Sequence, residues 1–133
     1  LHCNKKYNSK KEKTMTKLIS WVEIPATDFN RAVTFYSSVL NLDLQVIDCD
    51  QEKMACFPNG EGAISFAPGF KPSKNGVLVS FNTGKELEAT LDRIIENKGE
   101  IIQPKTKIEA EGRGYFALFL DCEGNKLGLY GDE

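Results

Sequence analysis

The segment SWVEIPATDFNRAVTFYSSVL, residues 20–40, has the pattern of a short strand followed by an amphipathic helix. The strand is predicted over residues 20–24, where β-branched and aromatic side chains suit a half-buried pleated surface. Its pairing should end at Pro25, which has no N–H to donate. Asp28 is a suitable N-cap for the helix, and Asn41, which tolerates a left-handed backbone, is expected to end it. One apolar stripe recurs at helical spacing and consists of Phe29, Ala32, Val33, Tyr36 and Leu40.

The same order of elements is predicted twice along the chain. In the first half, strands at residues 42–49, 53–57 and 62–67 follow the helix. In the second half, a strand at 76–81 precedes a helix that Thr83 and Glu86 should open as a capping box and Gly99 should close. Three strands are then predicted, at 100–103 with a short piece near 107–109, at 115–120 and at 126–130. The breaker-rich segment 70–75 separates the halves, so the sequence predicts an α+β fold of two βαβββ modules, residues 15–69 and 76–133.

Two motifs in this chain resemble a known family. The first consists of Asp28, Ala32, Phe35, Tyr36, Leu40 and Asn41, and the second is Asp121-Cys122-Glu123-Gly124-Asn125. Together they resemble the vicinal-oxygen-chelate (VOC) superfamily, which includes glyoxalase I, extradiol dioxygenases and bleomycin-resistance proteins, although Asn41 replaces the usual glycine. The resemblance implies that the two modules curve their sheets into one shared cup, and that this cup binds the ligand.

Composition limits the classes of function. The chain carries 17 Lys and Arg against 19 Asp and Glu, a net charge of −2; residues 1–14 hold five Lys and one Glu, which leaves −6 for the rest. This acidic body argues against nucleic-acid binding. No apolar run is long enough to span a membrane, and residues 1–14 lack the apolar centre of a secretory signal. We interpret them as a disordered tail and expect a cytoplasmic protein.

The four cysteines, at positions 3, 49, 56 and 122, lack the spacing of a metal site. Without a secretory signal, reduced thiols are expected. A disulfide between Cys49 and Cys56 across a hairpin is the alternative that the sequence leaves open.

The family resemblance implies four positions for metal ligands, because metal-dependent members place His or Glu side chains there. In this sequence the four positions hold Trp21, Ser65, Val77 and Gly128. None of these side chains is an imidazole or a carboxylate, the groups that catalytic divalent metals need. The only histidine is His2, in the tail. We therefore expect neither a metal nor another cofactor in the cup.

Strand alternation predicts which residues of the first module line the cup. If Trp21 faces the cup, Glu23 lies on the same face, while Val22 and Ile24 face the helix. Trp21 then supplies a flat apolar wall, and Glu23 a carboxylate for acid/base catalysis or for binding a cation. Ser65 offers a ligand both a donor and an acceptor.

In the second module, the strand at 115–120 has two apolar faces. We expect Phe116, Leu118 and Leu120 to pack on the helix, because this set is the more apolar. That choice leaves Tyr115 and Phe119 to line the cup with the residues at the family's ligand positions, Val77 and Gly128.

Three hypotheses of different classes remain. The first is a glyoxalase/bleomycin-resistance-like protein that binds a small molecule in the cup without a metal. The second is an enzyme of lyase or isomerase type, either metal-independent or with an atypical site, in which Glu23 is the candidate catalytic residue. The third is a non-catalytic interaction module. A homodimer is expected in each case, because association removes the liability of unpaired sheet edges.

The first prediction concerns metal content. Purified protein is expected to carry no stoichiometric Zn²⁺, Ni²⁺, Fe²⁺ or Mn²⁺, because the four family positions offer no imidazole or carboxylate. Elemental analysis after removal of any purification tag checks this. A metal bound through Ser65 or Glu23 would contradict the prediction and would restore metal-dependent chemistry as a candidate.

Overall fold

The computed structural model describes residues 17–133, so the predicted tail at residues 1–14 lies outside the described residues. No helix in residues 17–133 is both long and apolar enough to cross a membrane. The elements in chain order are β1 (Val22–Pro25), α1 (Phe29–Val39), β2 (Gln45–Asp48), β3 (Lys53–Cys56), β4 (Gly62–Phe66), β5 (Ser80–Gly84), α2 (Leu87–Glu96), β6 (Glu100–Lys107), β7 (Tyr115–Leu120) and β8 (Lys126–Gly131).

These elements form two mixed four-stranded sheets, with the strand orders β1-β4-β3-β2 and β5-β8-β7-β6. In each sheet the first strand pairs in parallel with the last, and the other pairs are antiparallel. Each module is therefore a strand, a helix and three strands, and the predicted α+β fold of two βαβββ modules is confirmed.

The chain divides into two compact units that follow these modules closely. The first unit contains the described residues up to Ser37 together with Asn41–Pro72. The second unit contains Ser38–Leu40 and Ser73–Glu133. Within the second unit, the Arg93 guanidinium donates from Nε to the Val39 carbonyl oxygen at 2.9 Å. A cation at the C-terminal end of α1 complements the partial negative charge there.

Helix α1 has the ends that the sequence predicts. The Asp28 carboxylate accepts a hydrogen bond from the backbone N–H of Arg31 at 3.2 Å, which satisfies one free donor of the first turn. Asn41 follows the helix with a left-handed φ of 53°. The helix buries its apolar side, which consists of Phe29, Ala32, Phe35, Tyr36 and Val39.

Helix α2 begins later than the capping box predicted. It starts at Leu87 after Glu86, without a side-chain cap. Thr83 lies in β5 instead, and its hydroxyl donates to the Tyr130 carbonyl oxygen at 2.9 Å. The prediction was wrong because β5 runs over Ser80–Gly84 rather than 76–81, so that the Thr83 hydroxyl is used between paired strands and not at the helix.

The C-terminal end of α2 also differs by one residue from the prediction. Lys98, not Gly99, has the left-handed backbone, with φ 70°. The N–H of Gly99 donates to the Ile94 carbonyl at 2.8 Å and that of Lys98 to the Ile95 carbonyl at 3.1 Å. These two bonds form a Schellman motif, in which glycine usually occupies the position that Lys98 holds here.

Lys98, at a position that usually holds glycine, leads to a prediction about stability. Lys98→Gly is expected to raise the free energy of unfolding by about 1 kcal/mol, because an L-residue in the left-handed region costs roughly 1–2 kcal/mol and the added unfolded-state entropy of glycine takes back part of this gain. Asn41→Gly is the matched control and should change stability little, since asparagine tolerates this conformation. Urea denaturation at constant m-value measures both. Equal effects at the two positions would contradict the prediction.

Candidate functional site

One side of the first sheet brings together the polar residues that the sequence singled out. Glu23 pairs with Ala63, and Ala63 with Cys56, while Ser65 pairs with Met54. Since paired residues point to the same side of a sheet and residues two apart share a side, these five side chains lie on one face. We call it the Glu23 face, and it consists of Glu23, Met54, Cys56, Ala63 and Ser65.

A short hydrogen bond joins the two polar residues of the Glu23 face. The Ser65 hydroxyl donates to Glu23 Oε1 at 2.7 Å. Ser65 is fully buried, so its hydroxyl needs a partner. In the described residues, neither Lys nor Arg forms an ion pair with Glu23. The carboxylate is thus held by a hydroxyl, and its second oxygen takes no part in this bond.

Apolar side chains surround this pair on the same face. Trp21 packs against a buried cluster of Ile47, Cys56 and Ala63, and it is itself half-buried. The structure therefore places Trp21 beside the Glu23 face, and the prediction that Trp21 lines a ligand cup stays a prediction. Cys49 and Met54 pack against the same cluster.

The opposite side of this sheet is the side that α1 covers. Ile24, Ala55 and Ile64 are buried there, with exposed fractions of 3% or less. Because the cluster on the Glu23 face contains no residue of α1, we infer that the apolar side of α1 covers the Ile24 side. This agrees with the predicted orientation of Ile24 toward the helix.

The cysteines differ from the predicted set of reduced thiols. Cys56 and Cys122 form no disulfide, whereas Cys49 is disulfide-bonded. Cys56 is not its partner, because the hairpin register pairs Cys56 with Gln45 and Asp48 with Lys53, which puts the two cysteines at opposite ends of the hairpin. Burial, and to a smaller extent the charge of Glu23, raises the pKa of the Cys56 thiol from 9.0 to about 11.

In the second sheet, the predicted faces are reversed. Ala117 pairs with Leu129 and Phe119 with Leu127, and all four of these residues are almost completely buried. Gly131 lies on the same side, where an added Cβ would come within 3.1 Å of Cβ of Leu87 in α2. This is therefore the side that packs on the helix.

The reversal removes Tyr115 and Phe119 from the predicted cup lining. Phe119 belongs to the core beneath α2, and Tyr115 lies on the same side of β7, opposite Lys107. The opposite side carries the half-buried Phe116, Leu118 and Leu120. Both faces of β7 are apolar, so hydrophobicity alone could not choose between them. Gly128 pairs with Leu118, so Gly128 faces away from the helix, on the same side as Leu118. Because the sequence had already placed Gly128 in the cup, this pairing would have assigned Leu118 rather than Phe119 to the cup side.

The two remaining family positions offer no donor atoms. Val77 lies before β5 and is 91% exposed. Gly128 pairs with Ser80, and a Cβ at this position would overlap Ser80 Oγ, so that a longer side chain cannot enter without displacing Ser80. Within residues 17–133, no three His, Cys, Asp or Glu side chains form a group that could hold a metal ion. The residues present at the family's positions do not fit a divalent metal.

Sequence reasoning missed Cys56, Met54 and Ala63 as members of the Glu23 face. The turn at residues 57–61 holds the signal that would have found them. This turn joins β3 to β4 as a hairpin, in which Cys56 pairs with Ala63. Once Ser65 is placed on a face, the register of the hairpin puts Met54 and Cys56 on the same face.

Comparisons with known proteins agree with this fold. The family model of the Glyoxalase/Bleomycin resistance protein/Dioxygenase superfamily matches residues 18–129. No curated protein matches the chain significantly. A glyoxalase/bleomycin resistance protein/dioxygenase family enzyme from Burkholderia phytofirmans is similar in structure, with a TM-score of 0.67 and 18% identity over 86% of this chain and 98% of that chain.

Two further solved structures show the range of proteins with this fold. A glyoxalase/bleomycin resistance protein from Albidiferax ferrireducens has a TM-score of 0.65 and 19% identity, over 86% of this chain and 99% of that chain. A fosfomycin resistance protein from Listeria monocytogenes, solved as a variant with Mn(II) and dihydroxypropylphosphonic acid, has a TM-score of 0.64 and 18% identity, over 88% and 90% of the two chains. At these identities the likeness concerns the fold alone.

The raised pKa of Cys56 predicts a pH dependence of stability. The unfolded thiol ionises near pH 9.0 and the folded thiol near 11, so the stability contributed by the buried neutral thiol is fully present below pH 9.0 and is lost as the pH rises through about 11. The difference in unfolding free energy between the wild type and Cys56→Ala should therefore shrink between pH 8 and pH 11. A constant difference would contradict the raised pKa.

Proposed function

Because this chain belongs to the glyoxalase/bleomycin resistance protein/dioxygenase superfamily, we propose that it binds a small molecule at the Glu23 face without a metal. The observation that carries this proposal is the hydrogen bond from the Ser65 hydroxyl to the Glu23 carboxylate, 2.7 Å long, on a face that is otherwise apolar. A few convergent polar groups among hydrophobic and aromatic side chains are typical of small-molecule sites.

The chemistry of this pair favours a ligand that donates hydrogen bonds, above all a cation. An ionised carboxylate only accepts hydrogen bonds, and Ser65 already donates its proton to Glu23. An ammonium group placed at Glu23 gains a charge-assisted hydrogen bond, which is stronger than a neutral one. Trp21 adds an aromatic surface, which attracts both apolar groups and cations.

The family's usual metal takes no part in this proposal. The positions that would hold it carry an indole, a hydroxyl bound to Glu23, an exposed isopropyl group and a glycine. The ligand is therefore bound by side chains directly. The cup shared by two modules and the homodimer, both expected from the sequence, stay predictions.

A metal-independent enzyme is the second candidate, and the geometry of Glu23 is the observation that favours it. A carboxylate oriented by a hydroxyl, in a partly buried apolar setting, is a suitable general base for removing a proton from a bound substrate. The reaction would then be a proton transfer of isomerase or lyase type, with Glu23 as the catalytic residue. Conversion of a bound ligand that stops in Glu23→Gln while binding persists would favour this candidate over the binding protein.

Matched probes test the proposed site. Benzylamine, a cation at neutral pH, and benzyl alcohol, its neutral analogue, carry the same aromatic ring. Benzylamine is expected to bind more tightly, and Glu23→Gln should weaken it by about tenfold while changing benzyl alcohol much less, because a hydrogen bond to a charged group contributes roughly 1.5–3 kcal/mol. The fluorescence of Trp21, the only tryptophan, reports binding at the site.

Two control variants accompany this measurement. Glu96→Gln makes the same charge change at an exposed residue of α2 and should leave both affinities unchanged. Trp21→Ala should weaken both probes through lost apolar contact, with thermal shift as the readout in place of fluorescence. If Glu23→Gln and Glu96→Gln weaken benzylamine equally, the cation is attracted by the net charge of the protein and the proposed site is wrong.

A further inference from the structure

Two lysine side chains lie over one tyrosine ring at the end of the β6–β7 hairpin. The Lys105 Nζ is 4.6 Å from the centroid of the Tyr115 ring, and the Lys107 Nζ is 5.4 Å from it. We propose that Lys105, Lys107 and Tyr115 form a binding site for a small multivalent oxyanion of the phosphate or sulfate class. This site lies wholly within the second module and does not depend on the function proposed for the Glu23 face.

The ring holds the two ammonium groups near each other. The two distances to the same centroid add up to 10.0 Å, so the two nitrogens are at most that far apart. This upper limit is about one Debye length at 0.1 M ionic strength. Each ammonium is attracted to the ring by the cation–π interaction. The two positive charges therefore lie no more than 10.0 Å apart, and a multivalent anion is attracted by both of them.

A β-bulge places Lys105 over the ring. Between Gln103 and Thr106 the register of β6 shifts, so that three steps along β6 oppose two steps along β7. Side-chain hydrogen bonds hold the bulge: Gln103 Nε2 donates to Thr106 Oγ1 at 2.9 Å, and Thr106 Oγ1 donates to the Pro104 carbonyl at 2.7 Å. Bulges of this kind redirect side chains and are frequent beside binding sites.

The charges near the site leave the two lysines without a carboxylate partner. In residues 17–133, no Asp or Glu forms an ion pair with Lys105 or Lys107. Glu109 and Glu111, in the loop that follows β6, are exposed. In a body with a net charge of −6, these two cations on one ring offer positive charge to an anion, and the Tyr115 hydroxyl adds a donor.

NMR titration of the full chain tests the proposal, with sodium sulfate and sodium phosphate as probes and sodium chloride at matched ionic strength as reference. Sulfate and phosphate are expected to cause saturable shifts of the Tyr115 ring signals and of the backbone amides of residues 105–107 and 115. The double variant K105Q/K107Q should weaken this binding by about tenfold, because each exposed charge contact contributes up to about 1 kcal/mol.

A matched double variant provides the control. K71Q/K74Q removes two exposed lysines of the linker at residues 70–75 and should bind the probes like the wild type. Tyr115→Leu keeps both lysines but removes the ring that orders them, and it should weaken binding by a smaller factor than K105Q/K107Q. If chloride produces the same shifts as sulfate, or if K105Q/K107Q binds as tightly as the wild type, the lysines only cover the ring and the proposal is wrong.

Discussion

The parallel pairing of β1 with β4 is the constraint on which the candidate site depends. It brings Glu23 beside Ala63 and Pro25 beside Ser65, although these residues lie about 40 positions apart in the sequence. Gly62 permits this approach, since a Cβ at that position would overlap the carbonyl oxygen of Val22. The Val22–Gly62 pair is next to the Glu23–Ala63 pair, so Gly62 lets the strands that carry Glu23 and Ser65 approach each other. A single residue without a side chain thus allows the only side-chain hydrogen bond that Glu23 makes in the described residues.

The second family motif has a structural role in this chain. The Asp121 carboxylate accepts hydrogen bonds from the backbone N–H groups of Glu123 and Asn125, at 2.8 and 2.9 Å. The Asn125 amide donates to the same carboxylate at 3.0 Å and accepts from the backbone N–H of Ser73 at 3.0 Å. The turn between β7 and β8 therefore fastens the segment that leads into β5. This network gives the motif of this chain a role in the fold that does not depend on the chemistry of the site, because fold and function are set by different residues.

The two sheets show how far sequence patterns carry an assignment of faces. In β1, a charged residue alternates with apolar ones, so the positions of Glu23 and Ile24 followed from period-two alternation. In β7, every residue is apolar, and the choice between its faces was wrong. The cause is physical: a strand that is at least half-buried on both sides has no polar side to mark its orientation, and only pairing with β8 and packing on α2 decide it. The helix-capping roles predicted for Thr83 and Gly99 were wrong for a related reason. The Thr83 hydroxyl is used between paired strands, and Lys98 takes the left-handed position expected of Gly99.

The sequence by itself determined the order of the elements, the division into two similar modules, the ends of α1 and the family. Those features depend on local signals, namely apolar periodicity, a capping carboxylate, breaker residues and two short motifs. Tertiary structure alone decided that the Ser65 hydroxyl donates to Glu23, that Cys56 is buried beside them, and that a bulge places Lys105 and Lys107 over Tyr115. These features join residues that are distant in the chain or displaced by an irregular register, and strand pairing sets such contacts through backbone hydrogen bonds that the side-chain pattern does not specify.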